Sequence, residues 1–110
     1  MELDVSIGSD SVSMQIDNPH RPDYNTIYAR VDELFATKSA RESDLDVRGL
    51  IPRMIKGVAG CENGCPADAK SLVSRGYKDF DLEYIEGGIL SAQARLSGGE
   101  LVSLKLFPDF

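Results

Sequence analysis

The sequence predicts an α+β fold, with one mostly antiparallel sheet of about five strands and helices packed on one of its faces. Two observations support this prediction. Alternation of apolar and polar residues, typical of strands, occurs at both ends of the sequence, and apolar residues at helical spacing lie between them. A length of 110 residues suits a single domain over 1–110 and leaves no room for two.

The first two strands are predicted to form a hairpin. Apolar and polar residues alternate over 2–7, and the same alternation resumes over 11–17 after a turn that begins at Gly8. A period of two with one polar face is typical of an antiparallel pair that buries one side. Two prolines, Pro19 and Pro22, then end the strand and separate it from the first helix.

The middle of the chain shows helical spacing. Apolar side chains recur every three or four residues over 23–37, which predicts a helix with a single buried stripe. Pro52 interrupts a second pattern of this kind. Because proline is tolerated in the first turn of a helix, we predict a helix over 52–58. A third helix is predicted to begin at Pro66 and to end at Gly76.

Three more strands are predicted to form a meander. Alternating runs begin at Phe80, Leu90 and Val102, and glycine pairs at 87–88 and 98–99 separate them. Short glycine turns between alternating runs favour antiparallel neighbours. The helix over 23–37 should pack on the inner face of the resulting sheet. The residues expected on that inner face are Val5, Ile7, Met14, Leu82, Leu90, Leu104 and Leu106.

Charge and hydropathy argue against several classes of function. The chain has 12 basic and 18 acidic residues and a net charge of −6, which argues against nucleic acid as a partner and against binding to an anionic membrane surface. No apolar run approaches the roughly 20 residues of a membrane-spanning helix. The first residues alternate and carry acids, unlike a signal peptide, so we expect a cytoplasmic protein without membrane contact.

Both cysteines lie in one short segment, Cys61-x3-Cys65-Pro66. In a reducing compartment such a pair is more often redox-active or metal-binding than a permanent disulfide. Cys65 is expected at a helix N-terminus, where the helix dipole lowers the pKa of a thiol. The segment resembles the end of the cluster motif of bacterial ferredoxins, whose two earlier cysteines are absent here. An iron–sulfur cluster or zinc therefore needs further ligands from a second chain or a partner.

His20 and Arg21 form a weaker candidate, an anion-binding site. Both precede a predicted helix N-terminus, whose unpaired N–H groups attract negative charge. No nucleophile, second acid or glycine-rich loop accompanies them in the sequence. A solvated proline-rich turn explains the same residues better.

Two hypotheses about function follow. The chain is either a thiol-based redox or metal-binding module that uses Cys61 and Cys65, or a non-catalytic interaction domain. In the second hypothesis, the flat polar face or an edge strand of the sheet binds a second copy, giving a homodimer, or a protein partner. The cysteines are then small buried residues without a chemical role. The sequence contains no recognised catalytic constellation and leaves open whether the protein is an enzyme.

Overall fold

The computed structural model describes residues 1–37, 46–59, 67–75, 77, 79–85, 88–96 and 99–108. The strands are β1 (Glu2–Ile7), β2 (Asp10–Gln15), β3 (Asp81–Ile85), β4 (Ile89–Arg95) and β5 (Leu101–Phe107). The helices are α1 (Tyr24–Thr37), α2 (Val47–Ala59) and α3 (Ala67–Arg75). The strands form one antiparallel sheet in the order β2-β1-β5-β4-β3, so the predicted α+β fold with a hairpin, helices and a meander is confirmed.

A tight turn closes the N-terminal hairpin and brings Ile7 opposite Asp10. Gly8 in this turn has a φ of 59°, a backbone conformation that residues with a Cβ rarely adopt. At the other end of the hairpin, the Ile16 amide donates a 2.8 Å hydrogen bond to the carbonyl oxygen of Met1. The pairing of the second strand thus runs from residue 10 to residue 16, one residue short of the predicted end at residue 17.

The last strand, β5, lies at the centre of the sheet. It pairs with β1 on one side and with β4 on the other. Leu104 of β5 stands opposite Val5 and Ala92, and all three side chains are fully buried. The centre of the core is therefore built by strands from opposite ends of the sequence.

The three helices pack on the inner face of the sheet. α1 contacts β1 and β2, α2 contacts β4 and β5, and α3 contacts β3. The predicted inner face is confirmed, since its residues are buried apart from Leu82, which is half-buried against the same core. Within the described segments, none of the helices combines the length and apolarity needed to cross a bilayer.

The prediction that a helix begins at Pro52 is wrong, because α2 begins at Val47 and contains the proline. Asp46 caps this helix. One of its carboxylate oxygens accepts a 3.2 Å hydrogen bond from the Gly49 amide, and its carbonyl oxygen accepts a 3.1 Å bond from the Leu50 amide. An aspartate cap of this kind satisfies donors at a helix N-terminus and fixes where the helix starts.

The interior proline is accommodated by a side chain from α1. Proline lacks an N–H group, so the carbonyl four residues earlier loses its usual helical donor. For Pro52 that carbonyl belongs to Arg48, and the Tyr28 hydroxyl donates a hydrogen bond to it at 3.1 Å. A contact between two helices thus replaces the missing backbone bond, which the local sequence pattern does not reveal.

Tyr28→Phe is expected to lower the free energy of unfolding by about 1 kcal/mol, because the Arg48 carbonyl loses its hydroxyl donor while the ring is kept. In a Pro52→Ala background, the helix regains an N–H donor for that carbonyl, so Tyr28→Phe should cost less. Urea titrations of the four proteins measure this coupling. An equal cost in both backgrounds would contradict the proposed replacement.

Candidate functional site

The predicted cysteine site lies outside the described residues. Cys61 and Cys65 both fall within 60–66, between α2 and α3 in the sequence. Their role as a redox pair or as metal ligands therefore stays a prediction. Where side chains are described, no three of His, Cys, Asp or Glu come together in a way that could hold a metal ion.

The predicted anion site lies in the loop between β2 and α1. The side chains of His20 and Arg21 are exposed. Asn18 organises their backbone: its side-chain oxygen accepts a 3.1 Å hydrogen bond from the His20 amide, and its carbonyl oxygen accepts a 3.0 Å bond from the Arg21 amide. An asparagine turn of this kind fixes the loop without help from a ligand.

Asp23 provides an anion at the N-terminus of α1. Its carboxylate accepts hydrogen bonds from the Thr26 hydroxyl at 2.7 Å and from the Thr26 amide at 3.2 Å. The hydrogen bond from the Thr26 hydroxyl has the larger effect and that from the Thr26 amide the smaller, and both lower the pKa of the Asp23 carboxyl below its ordinary value of 3.8. Asp23 is thus ionised at neutral pH and already occupies part of the helix terminus. Binding of an external anion by His20 and Arg21 stays a prediction.

A groove of about 380 Å³ runs between β2 and α1. Residues 13–18 form its strand side, residues 21–23 close one end, and Thr26, Ile27 and Arg30 form the helix side. Consecutive residues of a strand point to opposite faces of the sheet. Because an unbroken run of residues lines the groove, we infer that the groove follows the edge of the strand rather than one of its faces.

The groove has an apolar floor and polar walls. Met14 and Ile16 of the strand segment and Ile27 of α1 are buried. The remaining lining side chains are mostly polar or charged and exposed. An apolar surface with a few polar groups around it is typical of binding sites. Four charged residues line this groove: Asp17, Arg21, Asp23 and Arg30.

The edge of β2 presents backbone hydrogen-bonding groups. In an antiparallel pair, residues that bond to the partner strand alternate with residues that do not. The Ile16 amide bonds to Met1. Met14 and Val12 lie two and four residues before Ile16, so their backbone groups also bond to β1. The residues between them direct their N–H and C=O groups away from β1, and no described backbone group pairs with these. They are Ser11, Ser13 and Gln15.

The two edges of the sheet differ in their charge. Charged side chains on an edge strand disfavour the addition of another strand. The β3 edge carries Asp81 and Glu83, both exposed, along a strand of five residues. The β2 edge carries Asp10 next to the turn, and its other exposed side chains are uncharged. By this criterion, β2 is the edge that accepts a further strand more readily.

A second polar cluster lies where α2 begins. The Tyr77 hydroxyl donates a 2.7 Å hydrogen bond to one carboxylate oxygen of Asp46, whose other oxygen accepts the Gly49 amide. These contacts tie Tyr77, four residues before the start of β3, to the cap of α2. Asp46 and the Tyr77 side chain are only partly exposed, so the cluster stabilises the packing of elements and offers little surface for a ligand.

Two arginines of α2 lie over tyrosine rings. The guanidinium carbon of Arg48 is 5.2 Å from the ring centre of Tyr28, and that of Arg53 is 4.9 Å from the ring centre of Tyr77. Arg48 also pairs with Asp32 of α1 at 2.6 Å. Such cation–π contacts are worth about 0.5–1 kcal/mol at exposed sites. They hold α2 to its neighbours and do not form a concave site.

The groove beside β2 is the candidate site that the described residues favour, and the sequence prediction missed it. The one sequence signal for it is the uncharged polar face of the second predicted strand, in contrast to the acids of the third. Comparison with protein-family models, with curated proteins and with solved structures found no match to this chain. Its function therefore has to be argued from its own geometry.

Proposed function

We propose that the chain is a non-catalytic interaction domain that binds a polypeptide through its sheet, by adding a strand to β2. The observation that carries this proposal is the row of outward N–H and C=O groups on Ser11, Ser13 and Gln15 beside an open groove. In strand addition, main-chain hydrogen bonds supply affinity, and pockets for alternate side chains supply specificity.

The surroundings of the edge support this mode of binding. An added strand would lie about 4.8 Å from β2, within the groove and beside α1. Its inward side chains would extend the apolar floor formed by Met14, Ile16 and Ile27. The outer face of the sheet is a weaker candidate, because its central side chains, such as Gln93 and Lys105, are polar and exposed and offer little apolar area to bury.

Ser13→Pro tests the edge directly. The Ser13 N–H points away from β1, so proline removes a donor for an added strand and leaves the β1–β2 ladder intact. We expect the free energy of unfolding to change by less than about 1 kcal/mol and peptide binding to be lost. Ser13→Ala is the matched control, because it removes the hydroxyl and keeps the N–H group.

A phage-displayed library of random peptides, selected on the unmodified chain, provides the probe. Recovered peptides should bind the unmodified chain and Ser13→Ala, and should not bind Ser13→Pro. Failure to enrich any sequence, or equal binding to Ser13→Pro, would contradict strand addition at β2. Sedimentation equilibrium shows whether the strand comes from a second copy: a dimer that Ser13→Pro converts to a monomer would identify pairing between two β2 edges.

The thiol hypothesis is a separate proposal that rests only on the sequence spacing of Cys61, Cys65 and Pro66. It requires a bound metal or cluster, or at least one thiol of lowered pKa. Elemental analysis and a visible spectrum of anaerobically purified protein distinguish these states. Colourless, metal-free protein in which both thiols alkylate slowly would contradict it and leave the interaction proposal unaffected.

A further inference from the structure

Resting on strand addition at β2, we propose that the added strand carries an acidic side chain whose carboxylate binds Arg30 on the α1 side of the groove. Arg30 is exposed and lines the groove together with Thr26 and Ile27. The proposal thus commits to one occupant, an extended acidic peptide, and it follows from how charge is distributed along the groove.

Charge is separated between the two ends of the groove. Asp17, Arg21 and Asp23 belong to the loop that connects β2 to α1, so carboxylates outnumber guanidinium groups at that end. Arg30 lies two turns further along α1, about 10 Å from Asp23 at 1.5 Å per residue. An incoming carboxylate is therefore repelled at the loop end and attracted at the other end.

Arg30 is available for such a contact. Within the described segments it forms no salt bridge, whereas Arg48 of α2 pairs with Asp32 at 2.6 Å. Asp23, the lining carboxylate that directly precedes this helix, is held by two hydrogen bonds from Thr26. An arginine can bind a carboxylate through two N–H donors at once, which gives direction as well as attraction.

The alternation of a strand dictates which peptide positions matter. Because α1 packs on the inner face of the sheet, only inward side chains of an added strand can reach Arg30. Those next to the acid should be apolar, to cover Met14 and Ile16. The pattern is an acidic residue between two apolar residues, each separated from it by one outward residue.

A symmetric peptide tests this pattern for both strand directions. The probe is acetylated and amidated Thr-Val-Thr-Glu-Thr-Val-Thr, and its control has Gln in place of Glu. In a titration followed by backbone amide NMR, the Glu peptide should shift the amides of Ser11, Ser13 and Gln15. We expect it to bind about three- to fivefold more tightly than the Gln peptide at low salt, and salt should reduce this preference.

Two variants assign the preference to Arg30. Arg30→Gln should remove it by weakening only the Glu peptide. Arg75→Gln is the charge-matched control, since Arg75 is exposed in α3, which packs on β3 at the opposite edge of the sheet, and it should keep the preference. Ser13→Pro should abolish binding of both peptides.

The other outcomes separate this inference from the proposed function. Equal affinity for both peptides, lost in Ser13→Pro, overturns the acidic preference and leaves strand addition standing. A preference that survives Arg30→Gln overturns the assignment to Arg30. Binding of neither peptide overturns the inference, and the library selection then decides the proposed function by itself. If free glutamate binds as tightly as the peptide, the groove is a site for small molecules, and the proposal that it accepts an added strand is wrong.

Discussion

Leu104→Ala should lower the free energy of unfolding by about 2–5 kcal/mol. Leu104 is fully buried in the central strand, opposite Val5 and Ala92. Removing its side chain eliminates buried apolar surface and leaves a cavity. Hydrogen-bonded strands hold the backbone on both sides, so the site cannot collapse to fill that space, which places the cost toward the upper part of the range.

Leu101→Ala is the matched control on the same strand. Leu101 is 38% exposed and points to the other face, so its truncation should cost less than about 1 kcal/mol. Urea titrations of both variants, with unchanged slopes, give the comparison. Similar losses of stability in the two variants would contradict the assignment of Leu104 to the inner face. A larger loss in Leu101→Ala would show that the opposite face of β5 is the buried one.

Gly49→Ala should lower the free energy of unfolding by about 1–3 kcal/mol. The sign is informative, because inside a helix alanine is ordinarily better than glycine by about 1 kcal/mol. At this position a Cβ would lie 2.9 Å from Cγ of Asp46 and nearer still to the Tyr77 hydroxyl oxygen. Those two residues share the hydrogen bond that ties the α2 cap to Tyr77, so the added methyl must break or displace it.

Tyr77→Phe shows whether this crowding is the cause. Without the hydroxyl, one of the two crowded groups is gone, and Gly49→Ala should cost less in the Tyr77→Phe background than alone. Thermal and urea unfolding of the four proteins give the coupling energy. A Gly49→Ala variant more stable than the unmodified chain would show that helix propensity outweighs the contact with Asp46.

Much of the fold could be predicted because its signals are local. The alternation over 2–7 and the runs that begin at Leu90 and Val102 assign side chains to the two faces of a strand, and this assignment does not depend on distant residues. The apolar stripe of α1 is equally local. These patterns give element types and buried faces, and the structure confirms both.

The features that could not be predicted depend on partners distant in sequence. Pro52 can lie inside α2 because Tyr28, 20 residues before Arg48, supplies the missing donor. The groove depends on strand order. Because β5 pairs with β1 and not with β2, β2 is left at the edge of the sheet. Alternation specifies which face of a strand is buried and does not specify its neighbours. Arg30 lines the groove because of this strand order. Its place in the sequence alone does not indicate that role.

The central position of β5 also affects how the protein is made. Glu2 and Phe107 are paired neighbours in the finished sheet, although more than one hundred residues separate them in the order of synthesis. The β1–β2 hairpin is synthesised before β5, so the β1 backbone groups that face β5 stay unpaired in the interval. The inward side chains of Leu3 and Val5 also lack their β5 neighbours, Leu106 and Leu104. Such non-local pairings form slowly and leave hydrophobic strand surface uncovered in the interval. We therefore expect the nascent chain to be most prone to aggregation until residues 101–107 have left the exit tunnel.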